Sequence, residues 1–247
     1  MISGSQLSRA LAITEKDIRI YYLKGPVLIY GILFPMFLFL AFFLGRGMSM
    51  DFMISGLLSM TVFFTATAVS PVILPWEGSL RTLERLISAP ISIPAILLGD
   101  ALASFIFGVI VSLVPLALGL IVGIHVSSPV VLAVAILLST FCCSYLGMLF
   151  SIPPTNVPSN IMMITNLVKF PLVFISGIFI PVDQMPLWGR TISLISPLTY
   201  ITDLIRYSIQ GSGYYSVRLD IVAIATFTVI FMALAMFFHI RNMPKRL

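Results

Sequence analysis

Long runs that are almost free of charge constrain this sequence more than any other feature. A helix crosses the hydrocarbon core of a bilayer, about 30 Å thick, in roughly 20 residues. Six stretches of that length contain at most one charged residue each: 26–44, 52–76, 96–124, 130–150, 160–178 and 221–240. They predict an all-α integral membrane protein with six transmembrane helices, organised as a single transmembrane domain over residues 1–247.

The composition supports a chain surrounded by lipid. Hydrophobic residues make up 59% of the sequence and charged residues 9%, whereas soluble domains carry about 25% charged residues. The net charge of +5 does not indicate nucleic-acid binding, because the basic residues are placed at the ends of the predicted spans. The adjacent Cys142 and Cys143 lie within an apolar run and offer neither a disulfide framework nor a metal site.

The distribution of Lys and Arg predicts the orientation of the chain. Cytoplasmic loops carry an excess of these residues. With the N-terminus inside, nine basic residues face the cytoplasm: Arg9, Lys16, Arg19, Lys24, Arg81, Arg85, Arg241, Lys245 and Arg246. Four face outward: Arg46, Arg190, Arg206 and Arg218. We therefore expect a multi-pass protein of the plasma membrane with both termini in the cytoplasm.

The N-terminal residues 5–24 are amphipathic. Leu7, Leu11, Thr14 and Tyr21 recur at helical spacing, while charged residues occupy the other faces. A helix with this pattern and modest overall hydrophobicity is typical of the membrane interface. We predict an interfacial helix over 5–24.

The cytoplasmic segment 77–88, between spans two and three, forms a second amphipathic pattern. The apolar residues Leu80, Leu83, Leu86 and Ile87 share one helical face, and the charged residues point elsewhere. Such a helix either lies on lipid or inserts its apolar face into the groove of a partner. The residues alone leave both possibilities open.

The segment 179–207 does not read as a span. Its apolar pieces are shorter than the roughly 17–25 residues that a crossing requires, and Pro181, Pro186 and Pro197 interrupt any longer helix. Charged residues within it, such as Arg206, are costly at the middle of a bilayer. We predict a re-entrant helical hairpin in the outer leaflet between spans five and six.

These two segments carry a resemblance to a known family. In the first segment, Thr82-Leu83-Glu84-Arg85-Leu86 is followed by Ala89-Pro90-Ile91-Ser92. The second match runs through Ser176-Gly177-Ile178-Phe179-Ile180-Pro181, Met185-Pro186-Leu187-Trp188, Ser196-Pro197-Leu198-Thr199-Tyr200 and Asp203-Leu204-Ile205-Arg206. In this order the motifs resemble the permeases of ABC type-2 transporters, closest to the drug-exporter-like branch. Those permeases commonly show Gly-Thr-Leu-Glu in the first segment, and this chain has Arg81 in place of the glycine.

The resemblance covers nearly the whole chain and implies a function. The chain would be the transmembrane permease subunit of an ABC exporter that moves a hydrophobic or amphipathic substrate (a drug, lipid or lipid-linked molecule) outward. It would work as a homodimer with two cytosolic ATPase subunits. Segment 77–88 would be the coupling helix, contacting the ATPase through Leu80, Thr82, Leu83, Glu84, Leu86 and Ile87. The residues implied for the hairpin are Gly177, Pro181, Pro186, Pro197, Tyr200 and Arg206.

The sequence contains no site for chemistry of its own. A phosphate-binding loop ends in a lysine that follows a glycine, and none of Lys16, Lys24, Lys169 and Lys245 does so. We therefore expect ATP and Mg²⁺ on the partner subunit, no cofactor or metal on this chain, and no catalytic residues. Two alternatives stay open: an ion- or proton-coupled carrier, which needs several intramembrane carboxylates where only Asp100 is a candidate, and an integral membrane enzyme.

Lys169 is the one charge well inside a predicted span. Counted from Asn160 at 1.5 Å per residue, it lies about 14 Å deep. A lysine there costs roughly 2.5–3.5 kcal/mol on insertion scales, so it should face protein or a water-filled cavity. It either belongs to the substrate pathway or the dimer interface, or is paired internally, with Asp100 as a possible partner, or snorkels. The sequence does not separate these readings.

Overall fold

The structure, a computed structural model, describes residues 4–43, 47–155 and 157–243, and within these ranges it contains helices and turns but no strand. Helices satisfy every backbone polar group within one segment, which lipid requires. The α-helices are α1 Gly4–Asp17, α2 Gly25–Leu28, α3 Phe34–Phe43, α4 Met50–Ala66, α5 Ser70–Ser79, α6 Thr82–Ser88, α7 Ile93–Ile121, α8 Pro129–Phe150, α9 Pro158–Ile175, α10 Leu187–Ser193, α11 Pro197–Gln210 and α12 Val217–Asn242. Of the basic residues used to predict orientation, Arg46, Lys245 and Arg246 lie outside the described residues.

Five helical units among the described residues are long and apolar enough to cross a bilayer. They are Met50–Ser79 (α4 and α5 together), Ile93–Ile121, Pro129–Phe150, Pro158–Ile175 and Val217–Asn242. Spans two to six of the sequence prediction correspond to these five units, and the predicted and observed ends agree within a few residues. The all-helical membrane fold is therefore confirmed, with five such helices where six spans were expected.

The expected first span, 26–44, is helical but irregular. The chain passes from α2 through a π-helical turn, Ile29–Leu33, into α3, and residue 44 lies outside the described residues. Pro35 is the physical reason for the irregular turn. It has no backbone N–H to bond the carbonyl of Gly31, and π turns are a common way for a helix to absorb such a break. The first span therefore stays a prediction.

The centre of the bundle is the α4–α5 unit, which is almost entirely buried. Buried hydroxyl groups in this unit and on the neighbouring α8 bond carbonyls of their own helix. Thr65 Oγ1 donates to the Thr61 carbonyl at 2.6 Å, and Thr140 Oγ1 donates to the Ile136 carbonyl at 2.5 Å. Such local bonds allow small polar side chains to lie between tightly packed helices without unsatisfied groups.

The bundle has two distinct ends. At the α6 end, the tail of α12 meets the loop after α8, since Asn242 Nδ2 donates to the Ile152 carbonyl at 3.3 Å. At the opposite α10 end, the loop before α8 meets α11, since Ser128 N donates to the Ser208 carbonyl at 3.0 Å. The two segments singled out in the sequence therefore lie at opposite ends of the molecule.

Candidate functional site

The expected coupling segment 77–88 is not one helix. Residues 77–79 complete α5, Leu80 and Arg81 form a turn, and α6 begins at Thr82. Arg81 adopts φ 55° and ψ 21°, and it is the non-glycine residue with positive φ in the described part of the chain. This left-handed conformation explains why glycine is common at the position: a side chain there is strained by about 1–2 kcal/mol.

The apolar face of α6 packs against the bundle instead of facing outward. Leu83 is 1% exposed and lies in a cluster with Leu74, Leu97 and Met148, while Leu86 and Ile87 are partly buried against that cluster. Leu83 therefore faces the bundle in the isolated chain, and its part in a docking face stays a prediction. Leu80, which is 66% exposed, and the polar residues of α6 are open: Thr82, Glu84, Arg85 and Ser88.

The N-terminal helix lies across the start of α7 and contacts the segment that leaves α6. Thr14 Oγ1 donates to the Gly99 carbonyl at 3.1 Å, and Ser92 N donates to Gln6 Oε1 at 3.0 Å. The predicted helix 5–24 is observed as far as Tyr22. It consists of α1 followed by a π-helical turn, Ile18–Tyr22. Its predicted apolar stripe is divided, because Thr14 and Tyr21 are buried whereas Leu7 and Leu11 are exposed. Its place at the membrane interface stays a prediction.

A cluster of buried charges joins α1 to α5 and α7, and sequence reasoning missed it. Lys16 Nζ contacts Glu77 and lies 2.9 Å from Asp17 Oδ1. Asp100 lies within interaction range of both Asp17 and Glu77. Burial lowers the pKa of Lys16, but Asp17, Asp100 and Glu77 raise it more, so the net pKa is above the ordinary value. Charges distant in sequence carry no local pattern, and only the fold brings them together.

Lys169 is 2% exposed on α9 and contacts the break between α4 and α5. Its Nζ donates to the Thr67 carbonyl at 2.5 Å and lies 5.9 Å from the centre of the Phe64 ring. A small cavity of about 60 Å³ adjoins it, lined also by Thr165 and Asn166. Lys169 therefore pairs internally, but with a backbone carbonyl and not with Asp100.

The segment 179–207 contains a short 3₁₀ turn, Val182–Gln184, and two helices, α10 and α11. The prolines stand where they start helices: Pro181 precedes the 3₁₀ turn, Pro186 precedes α10, and Pro197 is the first residue of α11. A hydrogen bond joins the two helices: Tyr200 OH on α11 donates at 3.0 Å to the carbonyl of Leu194, the residue that follows α10. The depth of this hairpin in a bilayer stays a prediction.

Gly177 begins this segment with φ 84°, a conformation that favours glycine. Its carbonyl accepts a hydrogen bond from Arg206 Nη2 at 3.0 Å, which ties the end of α9 to α11. The guanidinium of Arg206 also lies 4.2 Å from the centre of the Phe52 ring. Arg206 thus joins three elements at the α10 end. Within the described ranges, no group of three His, Cys, Asp or Glu side chains could hold a metal ion.

Apolar spans, a short helix anchored at one end of the bundle and a helical hairpin at the other define a multi-pass, all-helical membrane protein. A model of the ABC-2 type transporter family matches residues 10–210, and the chain belongs to this family. Inner membrane transport permease YadH of Escherichia coli strain K12 is 24% identical over 192 residues, which cover 77% of this chain and 72% of the relative. The proteins of that name from Escherichia coli O157:H7 and Shigella flexneri match to the same extent.

Proposed function

We propose that this chain is the transmembrane subunit of an ABC exporter that moves a hydrophobic or amphipathic substrate outward. It works as a homodimer with two cytosolic ATPase subunits, which hold ATP and Mg²⁺. The chain itself performs no covalent chemistry and serves as the moving, substrate-conducting part.

The placement of α6 carries this proposal. Leu83 fixes the helix to the ends of α5, α7 and α8, so a force applied to α6 is transmitted to three helices at once. Its polar side, with Glu84 and Arg85, is open to a partner. The apolar side of α6 packs against the bundle and its charged side is exposed. This arrangement suits the transfer of motion from a soluble subunit to a membrane bundle.

The proposed topology has six spans and both termini in the cytoplasm. The helical stretch 25–43 supplies the first span. Helices α1 and α6 and the tail of α12 meet at one end of the bundle, and the excess of Lys and Arg there supports a cytoplasmic position for this end. The hairpin at the α10 end then dips into the outer leaflet. A location in the plasma membrane agrees with the name of the relative, an inner membrane transport permease.

The exposed apolar face of α9 supports a second copy of the chain as partner. Met163 is 69% exposed and Leu167 is 74% exposed on this face. Lys169 points to the opposite side, into its own α4–α5 unit. We therefore propose that α9 contributes its apolar face to the homodimer and lipid contact, and that Lys169 braces the protomer.

The buried carboxylates Asp17, Glu77 and Asp100 are the observation that favours the alternative of a proton-coupled carrier. All three lie at the α6 end, around Lys16, and they form a local cluster instead of a series along the bundle. A proton relay across the membrane needs groups spaced along the pathway. The cluster suits a brace between α1 and the spans better than a relay.

An ATPase assay separates these functions. The purified full-length chain alone should neither bind nor hydrolyse ATP, whereas coexpression with its ATP-binding subunit should give a stable complex that hydrolyses ATP. Substrate should move outward in vesicles only when ATP is on the cytoplasmic side. Tight ATP binding by the isolated chain, or outward transport driven by a proton gradient without ATP, would contradict the proposal.

A further inference from the structure

The α10 end of the bundle contains a cavity that the exporter mechanism does not use. Its volume is about 360 Å³, within the range of roughly 300–1,000 Å³ that is typical of small-molecule sites. The start of α4, the 3₁₀ turn, α11 and the loop before α12 enclose it. The residues that line it and enter the argument are Phe52, Asp183, Gln184, Asp203, Arg206 and Ser212.

One wall of this cavity carries a buried positive charge with bonding capacity left over. Arg206 is 8% exposed, and its Nε has no hydrogen-bond partner in the part of the chain that the structure describes. Its Nη2 donates to the Gly177 carbonyl, and Phe52 supports the face of the guanidinium. A planar guanidinium with a free N–H edge binds phosphate or carboxylate oxygens well.

Carboxyl groups lie near this guanidinium: Asp203, three residues before Arg206 on α11, and Asp183 both interact with its charge. Asp203 is 3% exposed, and its two oxygens accept hydrogen bonds from the backbone N–H groups of Tyr214 at 2.8 Å and Tyr215 at 2.7 Å. The buried Asp220 interacts with Asp203, and the exposed Asp183 also lines the cavity. This excess of carboxyl groups disfavours a ligand that is only anionic. A ligand that adds an ammonium group beside its anionic oxygens is complementary to both the guanidinium and the carboxyl groups.

The residues that follow the cavity lining along the chain are apolar and exposed. This indicates that the ligand also carries acyl chains. Gln184 in the cavity is followed three residues later by Leu187, the first residue of α10, and then by Trp188. Leu187 is 81% exposed and Trp188 is 67% exposed, and Ile195 just after α10 is 74% exposed. An amphiphile with its head group in the cavity would therefore find an apolar surface for its chains along α10.

We propose that this cavity binds the zwitterionic head group of a phospholipid, with the phosphate at Arg206, the ammonium at Asp203 and Asp183, and the acyl chains along α10. A head group with a primary ammonium fits best, because it donates hydrogen bonds to the carboxylates as well as carrying the charge. The inference does not rest on the proposed exporter function, since it concerns a lipid that stays bound to the resting protein.

Native mass spectrometry of the purified full-length chain tests this proposal. Phosphatidylethanolamine and phosphatidylglycerol with identical acyl chains are offered at equal concentration. One phosphatidylethanolamine should be retained per chain in preference to phosphatidylglycerol. Arg206→Gln should lower that retention about tenfold or more, as expected for the loss of one charge-assisted hydrogen bond. Asp183→Asn should reduce the preference between the two lipids only a few-fold, because Asp183 is exposed.

Two further variants keep the test independent of folding. Ser212→Phe fills the cavity from an exposed position and leaves Arg206 in place, and it should abolish retention. Ser159→Phe makes the same change at an exposed position at the start of α9, away from the cavity, and should retain lipid normally. Equal retention of the two lipids by the wild-type chain, or unchanged retention in both Arg206→Gln and Ser212→Phe, would overturn the proposal. Displacement of the lipid by an equal concentration of soluble phosphoethanolamine would overturn the lipid as the source of the head group.

Discussion

Lys169 Nζ donates a hydrogen bond at 2.5 Å to the backbone carbonyl of Thr67, four residues before Pro71. In a regular helix the carbonyl of residue 67 bonds the N–H of residue 71, and proline has none. Lys169 on α9 therefore supplies the donor that Pro71 withholds, at the break between α4 and α5. The costly buried ammonium is explained by this carbonyl, which would otherwise be unsatisfied in the most buried unit of the bundle.

The relationship predicts energetic coupling between Lys169 and Pro71. Lys169→Met leaves the Thr67 carbonyl without a donor, which costs about 1–3 kcal/mol, while removal of the buried charge offsets part of that cost. Pro71→Ala restores an amide. Lys169→Met should accordingly be better tolerated in the Pro71→Ala background than in the wild type, by about 1–2 kcal/mol in thermal or denaturant unfolding.

Pro75→Ala is the matched control for this cycle. Pro75 withholds its amide from the carbonyl of residue 71, not from that of Thr67, so its effect and that of Lys169→Met should be additive. Additive effects in the Pro71 cycle would show that Lys169 and the missing amide are unrelated.

The strained turn before α6 gives a second prediction. Arg81→Gly should stabilise the chain by about 1 kcal/mol, because it relieves the left-handed strain of a residue with a side chain. Arg85→Gly makes the same change within the exposed part of α6 and should destabilise by a similar amount, since glycine is a poor helix former. Unfolding measurements on the two variants in the same detergent test whether their changes in stability have opposite signs. A loss of stability in Arg81→Gly would contradict the strain.

The sequence predicts the spans better than it predicts the site. Long apolar runs leave little choice in a bilayer, and so spans two to six agree with the structure. The apolar face of α6 is different, because the positions of Leu83 and Leu86 show that one face is apolar but not whether protein, lipid or a partner covers it. The partner of Lys169 is the backbone carbonyl of Thr67. The sequence indicates that this carbonyl needs a donor only through Pro71, which lacks an amide N–H. The cluster around Lys16 joins three helices and has no local signature at all.

The inward position of Leu83 divides the residues of α6 into two classes. Leu83→Asp places a charge in a buried cluster and should prevent stable folding, whereas the volume-conserving Leu83→Met should cost less than about 1.5 kcal/mol. Glu84→Lys lies on the exposed side and should leave unfolding within about 0.5 kcal/mol of wild type, yet lower substrate-stimulated ATPase activity in the complex. Normal folding of Leu83→Asp, or full coupling in Glu84→Lys, would contradict this division.

The packing of α1 on α7 depends on Gly99. A Cβ atom at this position would meet Ile13 Cβ at 2.6 Å and the Ala10 carbonyl oxygen at 2.7 Å. Gly99→Ala should destabilise the chain by about 1–3 kcal/mol through overpacking and should speed proteolytic cleavage within α1. Gly25→Ala is the control, because nothing lies within 4 Å of its Cβ. Equal protection of α1 in both variants would show that α1 is not held by this contact.

The last prediction concerns residues 179–207, which decide between six and seven crossings. Helices α10 and α11 have 7 and 14 residues, both shorter than the roughly 17–25 residues of a span. Gln184 before these helices and Ser212 after them line the same cavity, so the chain enters and leaves the segment at one end of the bundle. Ser88 and Thr155 lie at the α6 end. Both residues of each pair should therefore be accessible from the same side of the membrane.

Labelling of single cysteines measures this directly. In a background without Cys142 and Cys143, cysteines at Gln184 and Ser212 should both react with an impermeant reagent added outside cells. Cysteines at Ser88 and Thr155 should react only after the membrane is permeabilised, which serves as the control for sidedness. Reaction of all four from outside would remove the proposed cytoplasmic position of the α6 end. Labelling of Gln184 and Ser212 from opposite sides would mean that the segment crosses the membrane and that the six-span topology is wrong.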